Sequence, residues 1–210
     1  WFPRDKAAAA KLGLIVGAYH YAAPGGLLGG DMTVAATRKA DARAQAALAV
    51  TAADGVPQGD LPLTLDFEEK PCGWTFKQTA VWTRDFLLEA QRLSGRKPMI
   101  YANGYFLNEL VKVTVPGITW ADYKLWVAMW GPKYGKTPKA VPIWNTDWTF
   151  WQFTSSGHIA GIVNPPGPRQ YGYFTGPTPK LASFTTLSIN WPVSGNLSFV
   201  KFGPSTGPAI

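Results

Sequence analysis

Cysteine is almost missing from this chain: Cys72 stands alone among 210 residues, so neither an internal disulfide nor a multi-cysteine metal site can form. Only two histidines, His20 and His158, are present to activate a nucleophile, and Cys72 reads as a small buried or loop residue. Long apolar runs are missing too. No stretch approaches the roughly 20 uninterrupted apolar residues that span a bilayer, and no basic region followed by an apolar signal core opens the chain. The reading is a soluble chain without membrane insertion. Acidic side chains are the minority, 13 against 20 basic ones, and the net charge of +7 favours an anionic partner such as nucleic acid, an acidic membrane or a cell-wall polymer, among which charge alone does not choose. The basic residues are scattered, from Arg38 and Lys39 through Arg84 and Arg92 to Lys133 and Lys139, without the dense cluster of a phosphate-tracking arm. That argues against nucleic acid.

What is present is a core. With 46% hydrophobic and 14% aromatic residues, the chain can build one domain, and residues 1–210 read as a single domain. Residues 3–12, with an alanine run and Gly13 after it, read as a helix, and 14–21 as a strand. Asp31 is placed to cap a helix over 32–53, which Asp54, Gly55 and Pro57 end. A strand over 61–68 follows. Thr75 and Gln78 have capping-box spacing before a helix to about residue 93, closed by Gly95, and 98–102 form another strand. A short helix over 105–111 leads to a strand over 124–130. Alternation of this kind predicts an α/β fold with a parallel sheet covered by helices. Beyond residue 137, proline, glycine and aromatics crowd the chain, and 148–154, 158–163, 185–191 and 197–202 read as hairpin strands without helices between them. The fold expected is an irregular TIM-like βα barrel that finishes in antiparallel β-hairpins. Because such a barrel opens on a strand and this chain opens on a helix, either a first strand is expected upstream of Trp1 or another segment is expected to complete the barrel.

The chemistry concentrates at Asp66 and Glu68, two residues apart at the end of an apolar run. Residues i and i+2 of a strand share a face, so both carboxylates point one way while Leu63, Leu65 and Phe67 point the other. Carboxylates roughly 6–7 Å apart repel, which raises one pKa, and an acid that keeps its proton near neutrality can protonate a leaving-group oxygen. A charged strand end turned to water, with Glu69 and Lys70 completing a turn, is the plain structural alternative.

Taken in order, 17–21 (Gly-Ala-Tyr-His-Tyr), 65–68 (Leu-Asp-Phe-Glu), 100–103 (Ile-Tyr-Ala-Asn), 125–130 (Leu-Trp-Val-Ala-Met-Trp) and 151–157 (Trp-Gln-Phe-Thr-Ser-Ser-Gly) resemble the glycoside hydrolase family 25 lysozymes, the Chalaropsis-type muramidases of phage endolysins and bacterial autolysins. The resemblance covers about residues 2–162. It implies hydrolysis of the β-1,4 bond between N-acetylmuramic acid and N-acetylglucosamine in bacterial peptidoglycan, with Glu68 as general acid and base. It implies that Asp66 assists, by orienting the 2-acetamido group or stabilising the developing oxocarbenium ion, and that neither metal nor cofactor is required. Substrate assistance by the acetamido group is the favoured route. Tyr19, Tyr21, Tyr101 and Trp130 are candidate sugar platforms, since pyranose C–H faces stack on aromatic rings, and Gln152 is a candidate hydrogen-bonding partner. His20 falls on the opposite strand face from Tyr19 and Tyr21 and reads as structural.

The pattern departs from the family in places. An acid on the first strand would precede Trp1, and Asp5 falls on the helix after that position. Ser198 stands where a further acid is usual, and 165–179 read as an insertion. Two other readings follow: a non-catalytic glycan-binding barrel, or a chitinase-like glycosidase with its own Asp-x-Glu pair. The expected molecule acts as a monomer, secreted or phage-encoded and released to the wall.

Overall fold

The computed structural model describes residues 6, 7, 11, 15–53, 61–68, 70–129, 141, 143, 144, 147–154, 171–174, 183–191 and 195–200. The elements are β1 (Tyr19–Tyr21), α1 (Ala35–Ala53), β2 (Thr64–Asp66), α2 (Phe76–Ser94), β3 (Met99–Asn103), α3 (Gly104–Leu110), a 3-10 turn (Trp120–Asp122), β4 (Lys124–Ala128), β5 (Phe150–Thr154), β6 (Tyr171–Phe174), β7 (Ser183–Trp191) and β8 (Gly195–Val200). β1 to β5 pair in chain order and parallel, while β6, β7 and β8 each run antiparallel to the strand before. This is an α/β fold on a parallel sheet. Among the described residues, no helix is long and apolar enough to cross a membrane.

The helices form where local chemistry dictates. α2 opens on Thr75, whose side chain accepts from the Gln78 amide while the Gln78 side chain accepts from the Thr75 amide, and it ends at Gly95 in the left-handed region, φ 68°. Its buried residues, including Thr79, Trp82, Thr83, Phe86 and Ala90, recur at helical spacing. α1 turns small residues, Ala42, Ala46, Ala49 and Ala53, inward, which lets it lie close against α2. Trp82, Phe86, Leu65, Ile100 and Leu125 are fully buried in the layer between these helices and the sheet.

α1 starts later than the sequence suggests. Asp31 Oδ1 accepts from the Thr33 amide (2.8 Å) and hydroxyl (2.6 Å), so it closes a turn of its own instead of capping the helix. Arg38 Nη1 holds that turn by donating to the carbonyls of Met32 and Thr33, both at 2.7 Å, and the helix begins at Ala35. The segment read as an insertion contains β6, pairing with β5 and β7. The strand expected over 158–163 lies outside the described residues, as do all but Lys6, Ala7 and Lys11 of the N-terminal helix.

Candidate active site

The ladder places Tyr21 of β1 beside Asp66 of β2, Asp66 beside Tyr101 of β3, Tyr101 beside Trp126 of β4 and Trp126 beside Phe150 of β5. Laterally paired residues of a parallel sheet share a face, so this row lines the side away from α1 and α2. Met99, Tyr101, Trp126, Ala128 and Phe150 form an apolar cluster there, separate from the helix-side core. The edge-on contact of Tyr101 with Trp126, ring centres 4.9 Å apart, is part of it. His20, Leu65 and Ile100, one step out of phase, face the helices.

Asp66 is buried against this cluster, and its Oδ1 has no hydrogen-bond partner among the described residues. Burial first, and the neighbouring Glu68 charge second, push its carboxyl well above the usual carboxylate range. Glu68 lies two residues further, past the strand end. Its backbone is pinned: Asn103 Nδ2 donates to the Glu68 carbonyl at 3.0 Å, and Asn103 Oδ1 accepts from the Phe106 amide at 2.9 Å to cap α3. The Ala22 amide donates to the Asp66 carbonyl (2.8 Å) and the Phe67 amide to the Tyr101 carbonyl (3.1 Å), tying the strand end to both neighbours.

Glu68 borders a cleft of about 490 Å³ lined by Tyr21, residues 22–24, Gly26, Lys70, Pro71 and Cys72. Of the residues expected to meet sugar, Tyr21 lines this cleft. Tyr101 and Gln152 do not line it; they are buried on the sheet face that carries Asp66, where the Tyr101 hydroxyl donates to Gln152 Oε1 at 3.2 Å. Burial, then the charges of Glu68 and Asp66, drive the Tyr101 phenol far above its ordinary pKa, so it stays protonated and acts as a donor. Tyr19 is buried on the same face one pair of residues deeper. Trp130 lies outside the described residues. Cys72, read as a buried or loop residue, is exposed in a turn at the cleft edge. Among the described residues, no group of three or more His, Cys, Asp or Glu is placed to hold a metal.

Sequence reasoning missed Trp126, Lys70 and the loop over 22–26. Trp126 was legible as an alternate residue between Leu125 and Val127, but only the register of β4 against β3 puts it beside Tyr101. The loop is held from behind by a polar network. His20 Nε2 meets Gln45 Oε1 at 2.9 Å, Gln45 Nε2 donates to the Ala23 carbonyl (2.6 Å) and Asp41 Oδ2 (3.0 Å), and Asp41 Oδ2 also accepts from the Gly25 amide (3.0 Å) and the Trp82 indole (2.9 Å). Because the Gln45 amide nitrogen is committed, its oxygen must accept, which assigns the proton to His20 Nε2.

With this geometry in hand, the similarities to known proteins are informative. The family model for glycosyl hydrolases family 25 matches residues 2–162. The uncharacterized protein YegX of Escherichia coli K12 is 28% identical over 184 residues, 88% of this chain and 57% of its own length. Lysozyme M1 of Streptomyces globisporus is 29% identical over 161 residues, 71% of this chain and 47% of its own. The chain thus spans about half the length of these curated relatives. The crystal structure of the bacterial lysozyme from Streptomyces coelicolor superposes with a TM-score of 0.58 at 26% identity, covering 83% of this chain and 74% of that one.

Proposed function

Because the chain belongs to the glycosyl hydrolases of family 25, we propose that it is a peptidoglycan hydrolase, an N-acetylmuramidase whose general acid and base is Glu68. The observation that carries this reading is the pair itself: a buried Asp66 with a raised pKa and an unpartnered Oδ1, beside a Glu68 that reaches an open cleft. In the proposed reaction Glu68 gives its proton to the glycosidic oxygen as the C1–O bond breaks. The carbonyl oxygen of the 2-acetamido group bonds to C1 and forms a cyclic oxazolinium ion. Asp66 Oδ1 accepts from the acetamido N–H and so turns that carbonyl toward C1. Water then attacks C1, the ring opens, and the water proton passes to Glu68. Tyr21 is the sugar platform at the cleft, with Trp130 and Tyr19 as further candidates; Tyr101 and Gln152, hydrogen-bonded to each other, are buried on the sheet face that carries Asp66.

The sheet is proposed to curl into an irregular barrel finished by antiparallel strands, supported by the proximity of β8 to β1. No metal or cofactor enters the reaction. The protein is proposed to work as a monomer at the bacterial wall, secreted or released from a phage-infected cell, and the excess of basic residues suits that anionic surface. Ser198, where the family resemblance leads one to expect an acid, motivates a second reading as a non-catalytic wall-binding barrel.

Clearance of purified, N-acetylated peptidoglycan, with new reducing ends quantified, separates the two. Release of reducing muramic acid ends that disappears in Glu68→Gln supports the hydrolase. Wall binding by the folded chain without release selects the binding barrel.

A further inference from the structure

Lys70 borders the same cleft as Glu68 and Tyr21, and its placement is built. The turn that carries it is closed by the Trp74 amide on the Pro71 carbonyl (3.1 Å), and Trp74 is itself buried beneath the Arg38 guanidinium, 5.7 Å from its ring. Lys70 Nζ donates to the Trp74 carbonyl and reaches the Pro71 carbonyl at 3.5 Å. Both partners are neutral acceptors. An ammonium has three N–H donors, so two carbonyls orient it without compensating its charge. Among the described residues Lys70 forms no ion pair, whereas Arg84, Arg92 and Lys112 each meet a carboxylate within 2.7 Å. A half-buried cation held at the mouth of a cleft by neutral groups favours an anion arriving from outside.

Resting on the reading of this cleft as a glycan site, we propose that Lys70 is a specificity-determining residue that binds a substrate carboxylate. A polymer of N-acetylglucosamine alone carries none. Muramic acid carries a lactyl carboxylate, and where that group is amidated the stem peptide attached to it supplies carboxylates of its own. Lys70 would therefore select muramyl glycan over chitin-like glycan, a discrimination that Glu68 and Asp66 cannot make because both act on groups the two polymers share.

The test is calorimetric titration of the Glu68→Gln chain, which leaves its ligands intact, with three ligands. These are a tetrasaccharide of alternating N-acetylglucosamine and N-acetylmuramic acid with free lactyl carboxylates, the same tetrasaccharide with those carboxylates converted to amides, and a form extended by stem peptides with free carboxylates. A charge-assisted hydrogen bond corresponds to about a tenfold preference for a charged ligand over the amide. That preference is expected to fall to about one in Lys70→Met and to return in Lys70→Arg. A preference confined to the peptide-bearing ligand assigns the carboxylate to the stem peptide; one already present in the bare glycan assigns it to the lactyl group. Equal affinity for charged and amidated ligands, or a preference that survives Lys70→Met, overturns the proposal. Wild-type chain that cleaves wall material without the preference overturns Lys70 alone, a Lys70-dependent preference without cleavage overturns the hydrolase reading alone, and failure to bind all three ligands overturns both.

Discussion

His20 and Asp66 sit on adjacent strands one step out of phase, so they face opposite sides of one sheet. Both are buried, and burial drives both toward the neutral form: the His20 pKa falls below 6.5 and that of Asp66 rises well above 3.8. Their surroundings differ. On the helix side His20 meets Gln45 and stacks on Phe86, ring centres 5.3 Å apart, and the same network continues to Asp41 and Trp82. On the face away from the helices Asp66 finds aromatic rings, a second carboxylate and no partner for Oδ1 among the described residues. Asp41 Oδ1 on the helix side also lacks a partner among the described residues, so what distinguishes Asp66 is the second carboxylate two residues on, which borders an open cleft.

The largest effect expected from breaking this contrast is on the face away from the helices. Glu68→Gln should lower the rate of reducing-end release by about 100- to 10,000-fold while thermal unfolding stays close to that of the wild type. On the helix face the signs reverse. Asp41→Ala strands the Trp82 indole, the Gly25 amide and one Gln45 donor, and should cost about 3 to 5 kcal/mol of stability in urea unfolding, with activity falling only as the loop over 22–26 loosens. A stable Asp41→Ala protein with no activity would erase the contrast. Asp66→Asn should slow hydrolysis about 100-fold and yet stabilise the fold at neutral pH.

The pH dependence sharpens the same contrast. Above 3.8 the unfolded Asp66 ionises freely while the folded one resists, so wild-type stability falls relative to Asp66→Asn as pH rises from 3.8 through the raised pKa, and the two converge below 3.8. His20 works the other way: below 6.5 the unfolded state takes up a proton that the folded state refuses, so its contribution is lost as pH falls through that value. Melting temperatures across the acid range test both slopes. The smallest effect is expected for Tyr101→Phe, which removes one buried donor to Gln152 and should cost about 1 kcal/mol in denaturant unfolding.

Several of these residues were legible before any coordinates. Leu63, Leu65 and Phe67 alternate with Asp66 and Glu68, and the structure buries the apolar set toward the helices. Thr75 with Gln78, and Gly95, mark both ends of α2 through contacts within one turn. Asp31 shows where local reading fails: a cap and an Asx turn use the same side-chain oxygen, and Arg38, seven residues on, stabilises the turn. β6 escaped notice because its proline- and glycine-rich flanks hide a short strand whose hydrogen-bonding partners come from β5 and β7.

By itself the sequence determined the alternation of helices and strands, both ends of α2 and the family to which the chain belongs, because each depends on spacing within a few residues or on motifs in order. Only the tertiary structure decided that Tyr21, Asp66, Tyr101 and Trp126 form one row, that residues 22–24, Gly26 and Lys70 wall the cleft, and that Tyr101 meets Gln152. Strand register and loop placement arise from hydrogen bonds and packing between segments far apart in the chain, and no local pattern encodes them.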